Sequence, residues 1–182
     1  MAENDVIDLI RDDHEEIRTL FAQIDKAPAN ERDELFGRLV HELARHEATE
    51  EALVHPTLRD EVPQGEPVAT SILNEEEEAE RLLADMEKMD PEGADFLDAF
   101  RRLRDMVLSH AEHEEREEHP QLRSQLSGQR LHEMAEGFRR IKEQAPTHPH
   151  PKTPQTPEVR LSIGPIAGVF DRARDAAKNA MS

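Results

Sequence analysis

Over the first 145 positions the apolar residues recur at steps of three and four rather than two, among abundant Leu, Ala, Glu and Arg and few β-branched or aromatic side chains. That period belongs to the α-helix, whose inward stripe advances with 3.6 residues per turn. Start signals at Asn4 or Asp5, at Asn30 with Asp33 three residues on, at Pro67, and at Asp90 followed by Pro91 predict four long helices, over 4–26, 31–55, 68–89 and 92–119. A shorter helix over 129–144 is expected to pack outside them. Long helices joined by short loops form an up-and-down bundle. The expected fold is therefore all-α: a four-helix bundle over 1–126, an additional packing helix at 127–145, a Pro-rich linker at 146–158, and an amphipathic C-terminal helix at 159–182. In the linker, PTHPHPKTPQTP, the prolines forbid helix, and His148 and His150 are expected in solvent. The C-terminal segment carries Ile166, Val169, Phe170, Ala173 and Ala177 on one helical face, suited to docking on its own bundle or on a second subunit of a homo-oligomer.

The bundle repeats itself. Residues 36–59 match 100–123 at a constant offset of 64, with Phe36 on Phe100, Leu39 on Leu103, His46 on His110, Glu50 on Glu114, His55 on His119 and Pro56 on Pro120. The first and third helices match at an offset of 62, which places His14 on Glu76 and Leu20 on Leu82. The pattern is that of a duplicated helical hairpin with a pseudo-twofold axis between its halves.

Polar residues interrupt every seam. The first helix reads Ile7, Ile10, His14, Ile17, Phe21, Ile24; the second Phe36, Leu39, Leu43, His46, Glu50, Leu53; the third Ala69, Ile72, Glu76, Ala79, Leu83, Met86; the fourth Phe100, Leu103, Val107, His110, Glu114. Six ionisable groups thus point inward: His14, His46, Glu50, Glu76, His110 and Glu114. Counted from the turns, their heights agree within about one helical turn. Left unpaired in a low-dielectric layer they would each cost several kcal/mol, more than a domain of this size can carry. Bound cations resolve this. Two His–Glu pairs at i and i+4, plus one ligand from each remaining helix, supply six donors. One ion rarely takes six protein donors, whereas two ions sharing carboxylates do. Mixed imidazole and carboxylate donors suit iron ahead of manganese or zinc.

Charge and composition narrow the partners. The chain has 182 residues, 41 acidic against 23 basic, and a formal net charge of -18. Five basic and three acidic residues from Pro146 onward leave that tail at +2 and residues 1–145 at -20. Such a surface repels nucleic acid and anionic membranes. With no Cys, no thiolate, disulfide or iron–sulfur chemistry is available. The acidic N-terminus is unlike a signal peptide and no apolar run reaches membrane-spanning length, so a cytoplasmic protein without stable membrane insertion is expected.

The constellation resembles the hemerythrin-like HHE cation-binding family: a His in the first helix, His-x3-Glu in the second (HEATE, 46–50) and again in the fourth (HAEHE, 110–114), each with a Pro ten residues after the His. The resemblance covers residues 5 to about 125. It implies a non-haem di-iron centre, oxo- or hydroxo-bridged, held by His14, His46, Glu50, His110 and Glu114 and reached by diatomic or peroxide ligands. The family commonly places a His where this chain has Glu76. Either Glu76 is a ligand, giving a harder site of three His and three Glu, or one iron has an open position. The harder site argues against reversible oxygen carriage and for binding, sensing or reducing oxygen, peroxide or nitric oxide, in the setting of oxidative stress. The alternative is an iron-binding structural or iron-responsive interaction protein without turnover.

The remaining candidates have plainer roles. Glu75, Glu77 and Glu78 would replace Glu76 if the helix phase shifted, and Glu80 is expected in solvent. His41, His113 and His132 read as surface or second-layer residues, with His110 and His113 forming at most a minor zinc pair. His55 and His119 precede prolines and read as helix-terminal, near the mouth of the site.

Overall fold

The computed structural model describes residues 4–150. The expected C-terminal helix and the linker beyond residue 150 lie outside them. Seven α-helices follow in order: α1 Val6–Lys26, α2 Ala29–Thr49, α3 His55–Glu61, α4 Gly65–Met86, α5 Ala94–His113, α6 His119–Gln125 and α7 Gly128–Gln144. α2 and α3 are joined without a break by a π-helical segment, Glu50–Val54, and α5 and α6 by a second, Glu114–Glu118. α1 packs on α2 and α4 on α5, which makes the four-helix bundle, while α7 lies against α1, α2 and the first π segment.

Capping explains where α1 starts. The Asp5 carboxylate accepts from the N–H groups of Ile7 and Asp8, and the Asp8 carboxylate accepts from the Asp5 N–H, which is a complete capping box. The other starts differ from expectation. α2 begins at Ala29 behind Pro28, and Asn30 caps nothing; α4 begins at Gly65, two residues before Pro67; Asp90 and Pro91 belong to a turn in which Asp90 Oδ1 accepts from Glu92 N–H, and α5 starts at Ala94. In each case the turn closes with local hydrogen bonds before the helix opens, and nothing in a single cap residue reports that.

Continuation through the prolines is the larger correction. His55 and His119 do not end their helices. In each π segment the N–H five residues on, that of His55 or His119, donates to the carbonyl of Glu50 or Glu114. The wider turn absorbs one extra residue, so the buried stripe slips by one. After Glu50 the inward positions are Val54 and Leu58 rather than Leu53, and after Glu114 they are Glu118 and Leu122.

Two apolar clusters flank a polar layer. One, near the α1–α2 and α4–α5 turns, includes Phe21, Phe36, Leu39, Phe100 and Leu103, with the Phe36 and Phe96 rings edge-on at 4.9 Å. The other, at the opposite end, gathers Ile7, Ile10, Val54, Leu58, Leu122 and, from α7, Leu131, Met134 and Phe138. Along α1 the first cluster holds Ile17 to Ile24 and the second Val6 to Ile10, with His14 between them.

Candidate metal centre

All six residues singled out on the seams meet in that layer. His14 comes from α1, His46 from α2, Glu76 from α4, His110 from α5, and Glu50 and Glu114 from the π segments; every one is buried, Glu50 and Glu114 completely. Among the described residues, ligand atoms fall into three overlapping groups whose members all lie within 4.8 Å of one another. They are His14, His46, Glu50 and Glu114; Glu47, Glu50, Glu76 and His110; and Glu50, His55, Glu76 and Glu114. Glu50 belongs to all three and Glu114 to two. The pseudo-twofold repeat maps the first group onto Glu76, His110, Glu114 and Glu50, and the other two groups divide these four residues between them, so the layer offers two related sets of donors that share Glu50.

Four imidazoles are oriented alike. His14 Nδ1 is 2.9 Å from Glu115 Oε1, itself bound by Arg18 at 2.8 Å. His46 Nδ1 is 3.4 Å from Asp13 Oδ2, which Lys142 of α7 holds at 2.7 Å. His55 Nδ1 is 2.9 Å from Glu118, and His110 Nδ1 is 3.3 Å from Glu75, which also bonds His113 at 2.9 Å. Each ring therefore turns Nε2 inward: His14 to Glu114 and His46 to Glu50 at 3.1 Å, His110 to Glu114 at 3.3 Å, and His55 to Glu76 at 2.5 Å. A carboxylate behind an imidazole fixes its ring and favours a proton on Nδ1, leaving the Nε2 lone pair for a metal.

A cation fits these atoms. Neither oxygen of Glu50 or Glu114 has a hydrogen-bond partner among the described residues, nor do Glu76 Oε2 and the inward nitrogens of His14 and His110. Lone pairs facing carboxylate oxygens in a buried layer are repulsive unless a proton or a metal lies between them. Protons do part of this work in the metal-free chain. Burial, and then the Glu114 charge, push Glu50 well above the usual carboxylate range. Burial would raise Glu114 too, but His110 and His14 together outweigh it and hold that carboxyl well below the range. For His55 burial is again the largest single influence, lowering, yet Glu76 and Glu118 combined drive it well above the usual imidazole value. Two ions bound here would displace such protons.

Three participants lay outside the expected set: His55, Glu47 and Glu118. His55 faces inward because the π turn shifts the stripe, and only that register could have revealed it; Glu118 stands four residues after Glu114, at ordinary helical spacing, but departs from the repeat, whose counterpart is Val54. The counterpart of His55, His119, is buried, stacks on the His14 ring at 6.0 Å, and presents Nε2 with no hydrogen-bond partner among the described residues; burial foremost takes its imidazole down to about 4. His113 supports His110 through Glu75, and His132 is exposed on α7, where its ring meets the Gly128 carbonyl. His148 and His150 are not in open solvent: His148 bonds Glu87, and the backbone of His150 donates to Glu80, so both lie on the α4 side of the bundle.

The model of the hemerythrin HHE cation-binding domain matches residues 5–122. An uncharacterized hemerythrin-like protein of Schizosaccharomyces pombe is 29% identical over 174 residues, covering 93% of this chain and 85% of its own. A DNA nickase of Nostoc is 28% identical over 136 residues, 74% of this chain but 38% of that protein. The crystal structure of a hemerythrin HHE cation-binding domain-containing protein from Mycobacterium kansasii superposes with a TM-score of 0.70 at 23% identity, over 78% of this chain and 87% of that one.

Proposed function

The chain belongs to the hemerythrin HHE cation-binding domain family, and on that premise we propose that it is a cytoplasmic non-haem di-iron protein that binds, senses or reduces small oxidants. The observation that carries this reading is the set of four inward Nε2 atoms, each on a ring with a carboxylate behind its Nδ1, around two carboxylates whose oxygens have no hydrogen-bond partner among the described residues. His14 and His46 would hold one ion, His55, Glu76 and His110 the other, with Glu50 and Glu114 between them and Glu47 beside the second. Two iron ions, when bound, supply the electrons by which oxygen or peroxide is reduced.

The chain's own residues set the conditions. Glu115, Asp13, Glu118 and Glu75 orient the imidazoles; Val107 and Leu103, just below the layer, keep bulk water out. With Glu47, Glu50, Glu76 and Glu114 the donor set is rich in carboxylate, which favours ferric over ferrous iron and works against reversible oxygen carriage. The nickase activity of the Nostoc protein is not carried over, because the strongly acidic bundle repels a phosphate backbone.

Metal analysis of the purified protein, followed by rapid mixing of its reduced iron form with peroxide and with oxygen, tests the proposal. Two irons per chain and peroxide decay in proportion to bound iron are expected. A protein that retains no metal, or whose reduced iron form is inert to both, would refute it, and a fully reversible oxygen adduct would overturn the argument against oxygen carriage. Iron-dependent folding without turnover would instead make the protein an iron-responsive binding module.

A further inference from the structure

His46 and His110 are counterparts in the repeat, and so are the carboxylates behind them, Asp13 and Glu75, at the offset of 62 that relates α1 to α4. What holds each carboxylate differs. Glu75 Oε1 is bound at 2.9 Å by His113, from the same helix as His110. The counterpart of His113 is Thr49, whose hydroxyl donates to the Arg45 carbonyl at 2.6 Å instead.

The donor to Asp13 comes from outside the repeat. Lys142, in the last turn of α7 and beyond residues 5–122 that the family model matches, places Nζ 2.7 Å from Asp13 Oδ2 and 3.4 Å from Glu42 Oε2. Its backbone is fixed as well, since Arg45 Nε donates to the Lys142 carbonyl at 3.0 Å. The oxygen that Lys142 binds is the one that lies 3.4 Å from His46 Nδ1. A contact of that length does not pin the carboxylate by itself, so what keeps Asp13 behind the ring is Lys142. Without the ammonium, Asp13 and Glu42 would repel each other, and the half-buried Asp13 side chain would turn out to water. His46 would then lose the acceptor that orients it.

We propose that Lys142 is a positioning residue for the His14–His46 set of donors: through Asp13 it keeps the His46 ring turned with Nε2 toward Glu50, which makes α7 part of the centre. The consequence for a bound ion rests on reading the layer as a metal centre; the orientation of the ring does not.

Two measurements on the full-length chain test this. NMR of labelled imidazole nitrogens follows exchange of the His46 Nδ1 proton with water, and ferrous iron is competed against a chelator. In the parent that proton should exchange slowly. Lys142→Met should speed its exchange at least about tenfold and weaken one of the two ions by about 10- to 100-fold while the other binds as in the parent. Lys142→Arg should restore both. Arg130→Ala cuts the contact, 3.1 Å at Nε, that ties the other end of α7 to Glu61, and should move neither signal. Absence of a slowly exchanging proton in the parent, or unchanged exchange in Lys142→Met, overturns the positioning role. Faster exchange with iron held as tightly as before overturns its consequence for the ion. Equal losses in Arg130→Ala overturn both, because they would belong to the packing of α7 at large. A parent that takes up no iron overturns the proposed function, and the exchange measurement then decides the role of Lys142 alone.

Discussion

At the residue scale, Glu50 and Glu114 do most to define the centre, because every group of converging donors contains at least one of them. Removing Glu50 deletes a donor from both subsites at once, so Glu50→Ala is expected to reduce bound iron from two per chain to well below one, read by elemental analysis. Glu118 acts one step further out. Its carboxylate accepts from His55 Nδ1 at 2.9 Å, and Glu118→Gln keeps an acceptor there but removes the charge. The expected outcome is iron affinity weakened by about 10- to 100-fold with the fold intact, measured by competition with a chelator. The inward position of His14, His46, Glu50, Glu76, His110 and Glu114 was legible because each interrupts an otherwise apolar stripe. That of His55 was not, since His55 lies off the stripe of a regular α-helix and reaches the layer through the π turn, whereas Glu47 stands in α2 ahead of that turn, four residues after Leu43 on the half-buried edge of the same stripe.

Elements place these side chains through two features that no residue shows alone. The π turns let Pro56 and Pro120 sit in the first turn of α3 and α6 while the helices continue, the position at which a helix tolerates a proline best. A proline after an apparent helix reads as a stop, which is why the second and fourth helices were expected to finish at 55 and 119. The turn from α3 into α4 depends on Gly65, where a Cβ would overlap the carbonyl oxygen of Leu58. Gly65→Ala should therefore destabilise the protein by about 3 kcal/mol through a forced backbone shift, seen as a lower denaturant midpoint with little change in slope. Asp5 offers a milder test at the start of α1. Its carboxylate caps two N–H groups, so Asp5→Ala is expected to cost about 1 kcal/mol.

For the whole molecule, the polar layer divides one core into two and must be neutralised for both halves to stay packed. Ions that bind only the folded chain stabilise it by mass action, about 4 kcal/mol for each at a thousandfold excess over its Kd. Stripping iron with a chelator should accordingly lower the melting temperature by about 10 °C or more, and readdition should restore it. An unchanged melting temperature would mean that shared protons alone neutralise the layer. The sequence by itself determined the all-α bundle, its duplication, and the six polar interruptions, because helical periodicity and an internal repeat are local and need no partner to be read. Only the tertiary structure decided which atoms converge, that the helices run through their prolines by π turns, that Asp13, Glu75, Glu115 and Glu118 back the imidazoles, and that Pro146–Pro149 lies over α4. Those outcomes depend on the rotation of each helix against its neighbours, and one inserted residue in a turn is enough to reset that rotation.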